Sequence, residues 1–227
     1  MSLEKLQTHS IIKILTFISL VTYVSLFITS LINSLIFGTS QFSPLTNYIS
    51  ELSLSQHTPI PYLYDLACII SGLFTIPITF YIRKTTLHHR NVQKFELFNK
   101  KGFKTFVRAG FISGLLGDIG FVGVGIFSLQ RNLFGIHYIF AYLLFAGYTI
   151  TALIVGILIL FYQTKLSTLM GLSGVLYPLI IFIIFLLIFI FAPSLLIFYE
   201  WVVSLSLTAW LFAFTLYFLY SDVLYKP

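Results

Sequence analysis

Six apolar runs, each of twenty residues or more and divided by short polar turns, leave this chain few ways to fold. By hydropathy they cover about Ile11–Phe37, Pro61–Ile82, Thr105–Phe127, His137–Tyr162, Leu166–Phe191 and Phe198–Tyr220. Each is long enough to cross a hydrocarbon core of about 30 Å as a helix. Backbone groups inside lipid find no water, so a spanning run of this length closes its hydrogen bonds as an α-helix. The sequence therefore predicts an all-α polytopic integral membrane protein, one bundle of six transmembrane helices forming a single domain over residues 1–227. Only 9% of the residues are charged, against about 25% in a soluble domain. The first run exceeds a signal-peptide apolar region, and is read as a retained first span.

The basic residues set the expected orientation. With the N-terminus inside, the inner side holds Lys5, Lys13, Arg83, Lys84, Arg90, Lys94, Lys100, Lys101, Lys104, Arg108, Lys165 and Lys226, and the outer side only Arg131. That asymmetry predicts both termini in the cytoplasm. It also accounts for the net charge of +6 without a nucleic-acid partner. The inner loop from Arg83 to Lys104 interleaves Phe95, Leu97, Phe98 and Phe103 with lysines. It can set topology alone or lie as an amphipathic segment on an anionic leaflet.

The outer segment from Gly38 to Ile60 contains FSPLTNYISELSLSQHTPI, without lysine or arginine. Phe42, Leu45, Tyr48, Ile49, Leu52 and Leu54 make it too apolar to float in water. It is expected to fold onto the bundle, with a short helix over Leu45–Ser53. In the second run Asp65, Cys68, Gly72, Thr75 and Thr79 recur at three- and four-residue steps, one small-and-polar stripe on a helix. Such a stripe marks close helix contact. The third run carries Gly110, Gly114, Gly117, Gly120, Gly123 and Gly125, with one acid, Asp118, among them. The glycine faces serve packing within the bundle or against a homo- or hetero-oligomeric partner.

An ionisable residue at membrane depth is expensive and marks a functional site by default. The candidate ligand-binding residues are Glu51, His57, Asp65, Asp118, Arg131, His137 and Glu200. Asp118 lies about 15 Å below the outer end of its span at the helical rise. Three readings stay open. These groups satisfy one another, with Asp118 pairing with Arg131 or His137. They bind a lipid headgroup or another amphipathic ligand in a polar pocket open to the outer leaflet. Or they catalyse lipid modification, with Asp118, His137, Ser50 and Glu51 as candidate catalytic residues. A Cys68–Arg131–His137 grouping of the sorting-transpeptidase kind is matched by residue type only. The sequence has no HExxH, no phosphate-binding glycine loop and no CxxCH, so no metal and no cofactor is expected. Asp118 and His137 are expected to approach within a direct or one-water hydrogen bond if the intervening turn dips into the bundle.

The succession of a span, an outer loop with NYISELS, a span, a basic inner loop, a glycine-rich span and a fourth span opening on His137–Tyr138 resembles a family. It is similar to the uncharacterised six-helix membrane proteins of archaea and bacteria classed as a domain of unknown function, and to the wider Frag/DRAM/Sfk group. Tyr48, Ile49, Ser50 and Glu51 fall on that group's loop motif, with glutamate in place of aspartate. His137 and Tyr138 fall on its second motif. The resemblance implies a multi-pass protein of the cell membrane that handles membrane lipids.

Overall fold

The computed structural model describes residues 8–38, 40–88, 100–162 and 166–221. Its six long helices are α1 (His9–Phe37), α2 (Tyr62–His88), α3 (Lys100–Ile126), α4 (Ile136–Phe161), α5 (Thr168–Phe191) and α6 (Leu196–Tyr220). All six are long and apolar enough to cross a membrane. They begin and end within a few residues of the predicted runs, except that α2 continues six residues past Ile82. Phe95, Leu97 and Phe98 of the expected amphipathic segment lie outside the described residues. The end of the bundle carrying residues 40–60 is termed the loop end, and the end carrying Arg83 the basic end.

Small residues set how near the helices come, as expected where apolar burial alone drives no association. Ser19 and Ser71 join α1 to α2 by reciprocal bonds, each hydroxyl donating to the other residue's carbonyl at 3.3 and 3.1 Å. Gly72 of α2 lies on Val122 of α3, and Gly125 of α3 on the Asp65 backbone. Between α3 and α4 the backbones nearly touch. A methyl group added at Gly147 would sit 2.5 Å from the Gly117 nitrogen and 2.8 Å from the Ser113 carbonyl oxygen. Gly156 meets Gly171 and Gly174 in the same way across α4 and α5. Thus α1 to α5 pack in chain order, each on the next. Helix α6 closes the ring, resting only lightly on α1, α4 and α5. Most of α5 faces outward.

The loop-end segment folds onto the bundle, as its apolar content predicts. Phe42, Ile49 and Leu52 are buried, while Leu45 and Tyr48 stay exposed. The expected helix over Leu45–Ser53 is shorter in the structure, a 3-10 turn over Ile49–Ser53. Pro44 and the hydrogen bonds of Ser43 hold the preceding residues in a separate turn. Helix α6 pins the segment. The Trp201 indole donates to the Asn47 carbonyl at 2.8 Å, and the Glu200 carboxylate faces the backbone N–H groups of Ile49 and Ser50. Gln130, between α3 and α4, accepts from the Ser55 backbone at 3.1 Å.

Candidate functional site

At the loop end most polar groups pair with one another, with Asp65 Oδ1 and Ser128 Oγ left without a hydrogen-bond partner among the described residues. Arg131 donates to Asp65 Oδ2 at 2.7 Å, and also to the carbonyls of Gly125 and Ile126 at 2.9 and 3.1 Å. Those carbonyls belong to the last turn of α3, whose final acceptors have no intrahelical donor. One guanidinium therefore caps α3 and ties it to α2. Glu51 accepts from the Tyr48 backbone, from Asn47 and from His57, at 2.9, 2.9 and 3.0 Å. Replacing Arg131 by alanine leaves the nearly buried Asp65 carboxylate uncompensated. Because the arginine side chain is about half exposed, the expected loss is roughly 2 kcal/mol. Asp65→Asn loses less, and the double variant falls short of the sum by about 1 kcal/mol. Chemical unfolding in detergent micelles measures both.

His137 and Asp118 do not meet. The His137 ring hydrogen-bonds the Phe127 carbonyl through Nδ1 at 2.8 Å, and its backbone N–H donates to Asn132 at 3.1 Å. The turn between α3 and α4 contains two consecutive left-handed residues, Phe134 and Gly135, yet it holds His137 at the loop end. Asp118 lies nine residues inward from Phe127, about 13 Å along α3, and nothing dips that far. Arg131 does not reach it either, being engaged by Asp65. The partner is Tyr148, whose hydroxyl donates to Asp118 Oδ1 at 2.8 Å. Tyr148 follows His137 by eleven residues, three turns along the same helix face, which brings it to the depth of Asp118. The depth match of Tyr148 to Asp118 follows only once α3 and α4 are laid antiparallel.

Asp118 is fully buried, and its second oxygen, Oδ2, has no hydrogen-bond partner. Thr75 and Thr79 of α2 face the same carboxyl, and Thr75 Oγ1 also lies 3.3 Å from the Tyr148 hydroxyl. This group lines an interhelical cavity bounded by α1, α2, α3, α4 and α6. The cavity exists because α6 closes the ring loosely. Its lining runs along α2 from Tyr64, near the loop end, to Arg83 and Thr86 at the basic end. That is 22 residues, or about 33 Å of helix. The walls are mainly aliphatic and aromatic, with threonine hydroxyls between them. Among the described residues only Asp118 and Arg83 bring formal charge to it, and Arg83 also stacks over the Phe111 ring at 4.4 Å.

Of the seven ligand-binding candidates, only Asp118 lines this cavity. Glu51, His57, Asp65, Arg131, His137 and Glu200 stay in the loop-end networks. Ser50 gives its carbonyl to the Ser53 hydroxyl at 2.7 Å. Cys68 is buried in the core beside Tyr64, apart from Arg131 and His137, and acts as packing. Tyr148, Thr75 and Thr79 are the site residues missing from the candidates. The chain matches no family model, no curated protein and no solved structure.

Proposed function

We propose that the protein binds an amphipathic membrane lipid in the cavity between α1, α2, α3, α4 and α6. The observation that carries this reading is Asp118. A fully buried carboxylate with one unpaired oxygen costs several kcal/mol unless something completes it. Tyr148 occupies Oδ1, so Oδ2 is left to accept from a ligand hydroxyl or ammonium group. The remaining walls suit an acyl chain, the usual division of labour in a pocket with few polar anchors. The resemblance of the NYISELS loop and the His137–Tyr138 pair to lipid-handling six-helix proteins points the same way.

The basic asymmetry supports a cell-membrane protein with both termini in the cytoplasm, so that the loop end faces outward and Arg83 faces the inner leaflet. Reporter fusions at residues 55 and 131 should then report outside, and fusions at 95 and the C-terminus inside. Native mass spectrometry of protein extracted in mild detergent tests the binding itself. The expected spectrum shows a discrete lipid adduct near one per chain. A spectrum of bare protein, or a ladder of non-stoichiometric adducts, contradicts the proposal.

A further inference from the structure

A second constellation lies in the loop-end segment, apart from the cavity. Ser40 Oγ is 2.6 Å from His57 Nδ1, and His57 Nε2 is 3.0 Å from Glu51 Oε2. A hydroxyl, an imidazole and a carboxylate in series have the geometry of an activated nucleophile: a base in contact with the nucleophile, oriented by an acid behind it. We propose that Ser40, His57 and Glu51 form a serine-type acyl-transfer site acting on carboxylic esters of membrane lipids.

Each member is held as that chemistry requires. The carboxylate is fixed by the Tyr48 backbone N–H and the Asn47 amide, both 2.9 Å away. The His57 ring is buried and packs edge-on against Phe42, with 5.6 Å between centroids. The side-chain amides of Gln56 and Asn47 also approach Nε2, at 3.0 and 3.4 Å. Both approach through their nitrogens; turning the Gln56 amide presents its oxygen to a protonated Nε2, while the Asn47 nitrogen stays with Glu51. With the Nε2 proton directed at Glu51, Nδ1 is left to take the Ser40 proton. At rest the serine hydroxyl also reaches the Gln56 carbonyl at 2.8 Å, on the exposed side of the segment. Ser40 follows the end of α1 by three residues, next to exposed Ile36 and Phe37, and Leu45 and Tyr48 are exposed on the same segment. That apolar rim belongs at a membrane boundary and favours an ester bearing a long acyl chain.

In the first step Ser40 Oγ bonds to the ester carbonyl carbon while its proton passes to His57 Nδ1. The carbonyl π electrons move to oxygen. Collapse of the tetrahedral adduct breaks the bond to the alcohol, which leaves with the proton from Nδ1. Water repeats the sequence, releasing the fatty acid and restoring Ser40. Glu51 is a positioning residue, acting through His57.

The test uses the full chain in detergent with an alkyl fluorophosphonate, followed by peptide mapping. The expected result is one adduct, on Ser40, absent from Ser40→Ala and formed at least tenfold more slowly in Glu51→Gln and His57→Gln. Ser50→Ala should react as the wild type does. Should His57→Gln fail to fold, the mapped site and Ser40→Ala decide alone, since removing one hydroxyl from a partly exposed residue spares the fold. p-Nitrophenyl octanoate should be cleaved at least tenfold faster than the acetate. No adduct on Ser40, or equal labelling of Ser40→Ala, overturns the site. Preference for the acetate overturns the lipid-ester assignment.

Discussion

Replacing Gly147 by valine is expected to cost about 3 kcal/mol or more and to remove most of the folded protein. The position faces Gly117 and Ser113 so closely that even a methyl group meets backbone atoms at 2.5 and 2.8 Å. Backbone cannot swing aside as a flexible side chain can, so α3 and α4 must separate. The separation falls beside Tyr148, whose hydroxyl reaches Asp118, so the variant should lose ligand as well as stability. Gly147→Ala should fall between valine and wild type. Unfolding in a denaturing detergent series checks the order. A valine variant within 0.5 kcal/mol of wild type would remove close backbone contact as the reason for the glycines.

Asp118→Asn separates binding from folding. The asparagine oxygen still accepts from Tyr148, and the burial of a charge is relieved, so stability should change by less than about 1 kcal/mol. Ligand contact should weaken by about 1.5–3 kcal/mol, because a charged acceptor becomes a neutral amide. That is roughly a 10- to 100-fold loss of affinity, measurable by competition for the bound lipid. Tyr148→Phe should behave differently. It removes the O–H donor to Oδ1 and so strands both carboxylate oxygens, at about 1–3 kcal/mol of stability. An Asp118→Asn variant that unfolds readily but keeps its lipid would make the acid a structural element.

How much of this could be read from the sequence depends on the range of the interaction. The spans follow from local hydropathy and, apart from the basic end of α2, their ends lie within a few residues of the expected runs. The apolar residues of the loop-end segment announced that it would be covered, and Phe42, Ile49 and Leu52 are. Asp118 stood out because a lone acid in an apolar run has few explanations. Its partner did not, because depth across two antiparallel helices decides it, and nearness along the chain favoured His137. Ser40 went unnoticed for the same reason. It sits 17 positions before His57, and only the folded segment brings the two together. The cavity was not legible at all, since it arises from the loose seating of α6, whose sequence, like those of its neighbours, reads simply as an apolar span.

Whether Asp118 anchors a lipid inside the bundle is decided by a density map of the protein in lipid nanodiscs. The expected map has elongated density along the cavity, with a polar end within about 3 Å of Asp118 Oδ2 and a tail between α6 and the other helices. A cavity filled by α6 closing against α3, or density that stops short of Asp118, would contradict it.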